Sequence, residues 1–396
     1  MIADIVPWLE LALRWLHVIT GIAWIGASFY FVWLDGNIRK VEGGNPLVAG
    51  ELWAVHGGGF YHNQKYLVAP AQLPPHLHWF KYEAYFTWIS GFLLLAVIYY
   101  IGADIYLIDR AKLALSVPEA IGISLAFLIV GWLIYDGLCR SPMGKDGPVF
   151  GAVWFLVLTV AGYALTRIFS DRAAFLHVGA IVGTAMVANV FFIIIPNQKK
   201  VVASMLAGEA PDPRLGLQAK QRSLHNNYMT LPVLLAMISN HFPMLTGSPI
   251  NWLLLAALSI CGVMIRHVFN LRHRGEINYG LAVASAAVFV FATLIAIDVQ
   301  HRAEQTPSVQ VPFATVRALV DKHCIMCHAA HPTHAGISVA PAGLDFTRDA
   351  VLHANASRIL LQAVMSKTMP LGNETGMTDV ERATLGAWIR QGAHIK

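Results

Sequence analysis

The chain has 396 residues, of which 56% are hydrophobic and only 13% are charged, and its mean hydropathy is +0.55. This composition excludes an ordinary soluble domain and predicts a protein that lies mostly in a lipid bilayer. The formal net charge of +5 does not indicate nucleic-acid binding, because much of the basic charge lies in short loops beside apolar stretches, where it orients helices.

Eight apolar stretches are each long enough to cross a hydrocarbon core of about 30 Å, which takes about 20 helical residues. They lie at 8–34, 84–101, 118–136, 149–168, 175–195, 229–246, 251–270 and 279–298. Neither a basic segment nor a small-residue cleavage site accompanies the first stretch, so we expect it to be a retained helix. The sequence therefore predicts an all-α fold, a polytopic membrane bundle of about eight spans.

Basic residues are concentrated in alternate loops of this bundle. The loops after the first, third, fifth and seventh stretches contain Arg39, Lys40, Lys65, Lys81, Arg140, Lys145, Lys199, Lys200, Arg214, Lys220, Arg222, Arg266, Arg272 and Arg274. The positive-inside rule places such loops in the cytoplasm and therefore predicts that both ends of the chain lie outside.

The C-terminal part contains a c-type haem motif. Cys324 and Cys327 are separated by two residues, and His328 follows directly. In such a motif the two thiols bind haem c covalently and the histidine ligates the iron. Met369, on a loop stiffened by the proline that follows it, is the predicted sixth ligand.

Two alternatives compete with this interpretation. Met365 and Met377 are other sulfur ligands, although a methionine at such a position more often fills a core. A zinc site would combine the two cysteines with two of the nearby histidines, which are His323, His331, His334 and His353. An amphipathic helix before the motif and a capping box at Thr378 and Glu381 before a final helix favour a small class I cytochrome c domain.

The chain thus divides into a transmembrane domain at 1–299, a polar and proline-containing linker at 300–311, and a cytochrome c domain at 312–396. In Gram-negative bacteria, c-type haem is attached covalently in the periplasm. Eight spans, with the N-terminus outside, place the C-terminal domain on that same side of the membrane. We therefore expect a multi-pass protein of the bacterial inner membrane with its cytochrome domain in the periplasm.

Histidines in the spans are candidate ligands of one or more b-type haems. Polar residues inside a membrane are costly and tend to face the bundle interior, and imidazoles from facing helices are the usual ligands of haem b. The candidates are His17, His177, His241 and His267. For each of them, a hydrogen-bonded structural role is the alternative.

Two clusters on the predicted cytoplasmic side are candidate catalytic residues. His56 precedes three glycines in a long loop dense in aromatic residues, a composition typical of functional loops; anchoring at the membrane interface is the alternative. The second cluster, at a predicted helix entrance, offers a cation, amides and an imidazole to a polar heterocycle, with helix capping as the alternative. It consists of Arg222, His225, Asn226 and Asn227.

The chain resembles the integral-membrane urate oxidases, or urate hydroxylases, that carry a C-terminal cytochrome c domain. The resemblance covers essentially the whole chain and is most specific at 53–61, 77–85, 225–233 and the haem motif. It implies oxidation of urate to 5-hydroxyisourate in purine degradation. The electrons would pass through haem to the fused cytochrome c and then to a respiratory terminal oxidase or a soluble cytochrome c.

The residues are compatible with that reaction, since a planar anion requires a cation, flat surfaces, amides and a base, which the two clusters supply. Two rivals from other classes remain. One is a non-enzymatic, membrane-anchored electron-transfer subunit that receives electrons from quinol or a partner dehydrogenase. The other is a copper-resistance type of transporter, which methionine and cysteine ligands in the spans would favour, whereas the spans offer histidine and asparagine.

Overall fold

The computed structural model describes residues 2–304, 310–334 and 337–395, and most of these residues are helical. A bundle of long helices precedes a small C-terminal helical domain. The helices of the bundle are α1 (Ile2–Asn37), α2 (Tyr82–Leu95), α3 (Val117–Arg140), α4 (Gly147–Ile168), α5 (Asp171–Ala188), α6 (Ile195–Leu206), α7 (Pro213–Ile238), α8 (Pro243–Thr246), α9 (Asn251–His273) and α10 (Tyr279–Glu304).

Seven helices among the described residues are long and apolar enough to cross a membrane. They are α1, α2 with a π-helical extension to Tyr100, α3, α4, the continuous α5–α6, α9 and α10. Helix α5 continues into α6 through a π-helical segment, Asn189–Ile194. The predicted all-α membrane bundle is confirmed, with seven helices that meet the apolar criterion for a span.

The sixth predicted span, 229–246, was placed wrongly. The helix in this region is α7, which begins at Pro213 and ends at Ile238. At about 1.5 Å per residue its 26 residues extend about 39 Å, but its first half is polar. This half packs against α6 and the π-helical segment, and the helix also contacts α5 and α9. Most side chains of this half are exposed, and only Ala219 and Arg222 among residues 213–225 are buried. The helix therefore extends well beyond its apolar part and lacks the long apolar stretch that identifies a span.

The loop after α1 contains a β-hairpin that the sequence analysis did not predict. Strand β1 (Val48–His56) pairs with β2 (Gly59–Tyr66) in antiparallel register, with His56 opposite Gly59. The two-residue turn has positive φ angles, 56° at Gly57 and 80° at Gly58. Both central residues of a type I′ hairpin turn require such angles, which glycine adopts without steric cost. The expectation of an all-α fold is therefore wrong for this segment.

The C-terminal domain has a core of its own. Its helices are α11 (Phe313–His323), α12 (Asp349–Ala354), α13 (Ala356–Ile359) and α14 (Asp379–Arg390). Val316 and Val320 of α11 pack with Leu385 and Trp388 of α14 in one buried cluster. The predicted capping box before α14 is confirmed, because Thr378 and Glu381 cap each other's backbone N–H groups.

The C-terminal domain packs against one end of the bundle. Helix α10 continues to Glu304, inside the predicted linker 300–311, and residues 305–309 of that linker lie outside the described residues. We call segments 103–109, 170–172 and 243–247 of the bundle the docking face. A residue at Gly372 with a side chain would overlap the carbonyl oxygen of Asp104, and one at Gly247 would overlap that of Met365.

Candidate functional site

Cys324, Cys327 and His328 follow α11 directly. Both thiols are free, and burial raises the pKa of the Cys324 thiol to about 12. Burial also lowers the pKa of His328 below its ordinary value. The ring Nδ1 of His328 lies 3.1 Å from the carbonyl oxygen of Leu344, so this nitrogen donates. The lone pair then lies on Nε2, the arrangement found in metal-bound histidines.

Met369 lies on a loop that a buried arginine holds in place. Arg382, 4% exposed, donates from Nη1 to the carbonyl oxygen of Met369 at 2.6 Å and from Nη2 to Oδ1 of Asn373 at 2.9 Å. The backbone N–H of Met369 donates to the carbonyl oxygen of Gln362 at 2.9 Å. The competing sulfur of Met377 is 2% exposed, as expected for a residue that fills a core.

These residues fit a c-type haem better than a zinc ion. Two free thiols, an imidazole with Nε2 available and a thioether on a fixed loop are the groups that such a haem needs. No group of three or more His, Cys, Asp and Glu side chains in the described ranges is placed to hold a metal ion. A zinc site would require such a group.

Histidines 177 and 241 are placed differently in the bundle. His177 is fully buried, and both of its ring nitrogens have protein partners, Ser124 Oγ at 2.6 Å and the carbonyl oxygen of Ala173 at 2.7 Å. This pattern matches the structural alternative and leaves no nitrogen for iron. His241 is exposed in the 3₁₀ turn after α7.

Histidines 17 and 267 both keep Nε2 for a metal but lie at different depths. Nδ1 of His17 is 3.0 Å from the carbonyl oxygen of Thr87, and Nδ1 of His267 is 2.6 Å from the hydroxyl of Tyr228. Arg266, next to His267, packs over Phe29, which is about 18 Å from His17 along α1 at the usual helical rise. These two histidines therefore do not face each other as a haem pair, and the b-type haem stays a prediction.

His56 lies exposed at the tip of the hairpin, apart from the other predicted catalytic residues. Another imidazole of the hairpin, His62, stacks on Trp53 with ring centroids 4.3 Å apart. Its Nε2 is 2.7 Å from a carboxylate oxygen of Glu51. The structure therefore does not bring His56 together with the polar residues of α7.

Three of the predicted catalytic residues belong to a buried network between α3, α7 and the π-helical segment after α5. We call it the Arg222 network. Its members are Tyr135, Asp136, Asn189, Arg222, His225 and Asn226. The sequence predicted that Arg222 lies in a loop and that the whole cluster lies at the start of a helix. All three α7 residues lie within the helix instead.

Each residue of the Arg222 network has at least one polar partner within it. Arg222 Nη2 lies 2.7 Å from Asp136 Oδ1, and its Nη1 donates to Asn189 Oδ1 at 3.2 Å. Asn189 Nδ2 donates at 2.8 Å both to the Tyr135 hydroxyl and to Asn226 Oδ1. His225 Nδ1 is 2.9 Å from that same hydroxyl. A network with charge neutralised and donors satisfied stabilises the packing of the helices it joins.

A second polar cluster lies one helix away, between α7 and α9 near the end of α1. We call it the Arg266 cluster, and it comprises Asn227, Arg266, Asn270 and His273. Asn270 Nδ2 donates to Asn227 Oδ1 at 2.9 Å, and the guanidinium of Arg266 lies 3.9 Å from the centre of the Phe29 ring. Buried atoms without a hydrogen-bond partner occur in all four residues.

A cleft of about 1050 Å³ opens beside this cluster. Its walls come from α1, the segment after the hairpin, α6, α7 and α9, and they include His78, Trp79, Gln198, Ser223 and Asn270. Lys220 and Arg274 also line the cleft, and neither forms an ion pair with any residue that the structure describes. The cleft lies at the ends of α7 and α9 that are remote from the docking face.

A sequence model of the Urate oxidase N-terminal family matches residues 3–297. The chain belongs to this family. The match covers the bundle, the cleft and both arginine clusters, and it ends before α11. No curated protein and no solved structure matches the chain.

Membership of the urate oxidase family confirms the predicted resemblance for the bundle and supports a urate-related oxidoreductase. Two of the segments on which the resemblance was based border the sites: Leu77, His78 and Trp79 line the cleft, and 225–233 contains members of both arginine clusters. The predicted cytochrome c domain lies beyond the matched residues.

Sequence reasoning missed several members of these clusters. Asp136 and Asn189 lie in apolar stretches, and a polar residue at such a position was the signal that could have identified them. Arg266 was assigned to a cytoplasmic loop, yet it lies inside α9 and is 3% exposed. A basic residue at the edge of an apolar stretch can lie either in an exposed loop or in the buried interior of the bundle. Only the packing of α1 and α7 against α9 shows that Arg266 is buried.

Proposed function

We propose that the chain is a membrane enzyme that oxidises urate to 5-hydroxyisourate in purine degradation and passes the electrons to its own C-terminal domain, a cytochrome c. The observation that carries the proposal is the family match over 3–297, because it spans every element that lines the cleft. The set of Cys324, Cys327, His328 and Met369 supports the cytochrome part.

The reaction determines what the cleft has to supply. Conversion of the urate monoanion to 5-hydroxyisourate adds one water and releases two electrons and one proton. Lys220 and Arg274 provide positive charge that attracts the anion into the cleft, and Trp79 and His78 line it with a flat ring and with an imidazole that can accept the proton. His56 does not line this cleft, so we assign it no role in the reaction.

The Arg222 network has a supporting role in this proposal. Arg222, His225 and Asn226 already form hydrogen bonds inside the protein, so we propose that they hold α7 against its neighbouring helices and do not contact urate directly. Asn227, on the opposite side of α7, is the predicted catalytic residue that remains closest to the cleft, through its hydrogen bond to Asn270.

Haem c supplies a one-electron acceptor when it is bound. Cys324 and Cys327 would hold it covalently, with Nε2 of His328 and the thioether of Met369 as iron ligands. Arg382 contributes by anchoring the backbone of Met369 and of the segment before it, through hydrogen bonds to the carbonyl oxygens of Met369 and Ala363.

The docking face gives this domain a fixed position for receiving electrons. The loop that contains Met369 packs on it, with Ser366, Lys367 and Gly372 opposite bundle residues across a small cavity. Tyr99 also lines that cavity, and its ring centre is 6.3 Å from that of His177. A domain already in contact with the bundle receives electrons without a diffusional encounter.

The same arrangement supports the predicted location. With the docking face in the periplasm of a bacterial inner membrane, the cleft lies in the cytoplasm, where purine breakdown forms urate. A respiratory terminal oxidase or a soluble cytochrome c then accepts the electrons. Because the cleft and docking face lie at opposite ends of α7 and α9, a carrier between them is required, and a b-type haem is our proposal for it.

The test is an anaerobic optical spectrum of the detergent-purified full chain before and after urate is added. We expect urate to reduce the c-type band and 5-hydroxyisourate to form, with a pyridine haemochrome assay counting c and b haems. Dithionite provides the control for a reducible haem. A c-type haem that dithionite reduces and urate does not would overturn the enzyme and favour an electron-transfer subunit fed by quinol or a partner dehydrogenase.

Contact between the two domains is tested by Gly372→Ala. The added Cβ overlaps the Asp104 carbonyl and should weaken docking; a loss of about 1.4 kcal/mol lowers the docking equilibrium constant about tenfold. We expect slower haem reduction by urate and unchanged reduction by dithionite. Gly376→Ala is the matched control, because its φ of 65° imposes the same backbone strain but nothing lies within 4 Å of the added carbon. Equal rates in both variants would contradict intramolecular transfer across this face.

A further inference from the structure

Buried polar atoms without partners are concentrated in one place. Among the described residues, ten buried side-chain nitrogen and oxygen atoms lack a hydrogen-bond partner, and five of the ten belong to the Arg266 cluster. They are Asn227 Nδ2, Arg266 Nε, Arg266 Nη2, Asn270 Oδ1 and His273 Nδ1. Proteins rarely bury such atoms unsatisfied, so a cluster of them indicates that something else binds there.

The two free atoms of Arg266 define what kind of group fits. Nε and Nη2 lie on the same edge of the guanidinium and present parallel N–H groups, which match two acceptor atoms of a planar anion. Arg266 is 3% exposed and forms no ion pair with a described residue. Its contact with Phe29 engages the face of the guanidinium and leaves that edge available.

The asparagine pair adds a complementary donor and acceptor. One hydrogen bond, from Asn270 Nδ2 to Asn227 Oδ1, joins the two amides. It leaves Asn227 Nδ2 as a donor and Asn270 Oδ1 as an acceptor. A purine dione or trione presents alternating C=O and N–H groups along its edges, and adjacent amides that offer one donor and one acceptor can pair with such an edge.

We propose that the Arg266 cluster is the urate-binding site: the guanidinium edge holds the anionic side of the purine, and Asn227 and Asn270 pair with its amide groups. This inference rests on the proposed function and names the residues that contact the substrate. Asn270 belongs both to the cluster and to the wall of the cleft, so it marks the point of entry.

Charge and geometry support this route. Lys220 and Arg274 line the cleft without acidic partners among the described residues, whereas its two lining carboxylates, Asp35 and Asp212, are paired with Lys65 and Arg214. The unpaired charge in the cleft is therefore positive, and it raises the local concentration of an anion. Asn270 lines the cleft and lies one turn of α9 from Arg266, and one hydrogen bond of 2.9 Å holds its amide. Rotation of that amide admits the substrate and turns Asn270 towards it.

The test uses the full holoenzyme and compares Arg266→Met with Arg272→Met. Both positions are arginines in the last two turns of α9, but Arg272 is exposed and does not line the cleft. Loss of a charge-assisted pair typically weakens binding about tenfold to a hundredfold. We expect that change in the KM for urate and in the Kd for anaerobic binding of 8-azaxanthine in Arg266→Met, and wild-type values in Arg272→Met.

Two further variants keep the test decisive where Arg266→Met does not fold. Arg266→Lys retains the charge but loses the paired N–H edge, and Asn270→Leu removes the amide; both should raise KM more than they lower kcat. Unchanged KM and Kd in every variant would mean that an ordered water or chloride satisfies the cluster, which overturns the inference. Analogue binding that depends on Arg266 without urate oxidation would refute the proposed function alone.

Discussion

Two arginines on neighbouring helices show opposite electrostatic arrangements. Arg222 of α7 and Arg266 of α9 are 4% and 3% exposed. The guanidinium of Arg222 pairs with Asp136 and donates to Asn189, whereas that of Arg266 has two N–H groups without partners. Equal burial thus accompanies a neutralised charge in one cluster and an uncompensated charge in the other.

Whether a buried guanidinium is paired distinguishes residues that stabilise the bundle from residues that destabilise it. A buried charge is tolerated when it is paired and hydrogen-bonded, and an unpaired one costs free energy. Strained or unsatisfied groups persist in proteins mainly where function requires them. The better-satisfied cluster is therefore the weaker candidate for contact with substrate, although the sequence drew attention to it first.

The largest effect on stability is expected from Arg222→Met. The substitution leaves Asp136 with only Arg140 as an ion-pair partner among the described residues, and breaking a buried pair costs about 3 kcal/mol. We expect a clear fall in Tm by scanning fluorimetry in detergent. Arg214→Met, at a largely exposed arginine of the same helix, is the control and should leave Tm unchanged. A wild-type Tm in Arg222→Met would break the comparison.

A smaller effect is expected from Tyr135→Phe. Its hydroxyl links Asn189 to His225, and its removal leaves a buried donor unsatisfied, which costs about 1–2 kcal/mol. The fall in Tm should be about half of that in Arg222→Met, with haem content unchanged. Tyr279→Phe, at an exposed tyrosine, provides the benchmark. If both tyrosine variants behave alike, the hydroxyl does not connect the network.

The smallest effect on stability is expected from Arg266→Met. Loss of the contact with Phe29 costs about 1 kcal/mol, and removal of an unpaired buried charge offsets it. We therefore expect a Tm within the spread of the wild type, or above it, together with loss of urate affinity. A drop in Tm as large as that of Arg222→Met would mean that Arg266 has a structural partner, and the contrast between the clusters would fail.

Much of the fold was predictable because it depends on local chemistry. Stretches of apolar residues long enough for a bilayer identify spanning helices wherever they occur, and the capping box at Thr378 and Glu381 predicted the start of α14. The hairpin was not predicted, although two glycines with positive φ form its turn, because its strands lack a regular alternation of apolar and polar residues. Helix α7 was misplaced because its first half is polar and mostly exposed, so the apolar pattern marks only its second half.

The sequence by itself determined the membrane class, the family and the spacing of Cys324, Cys327 and His328, since each is a property of composition or of neighbours along the chain. Tertiary structure alone decided which polar residues meet. Asp136, Asn189 and Arg222 come from three separate segments, as do Phe29, Asn227 and Arg266. Whether a buried polar group has a hydrogen-bond or ion-pair partner depends on how those segments pack. A group with a partner stabilises the bundle, whereas a group without one is available to bind a substrate.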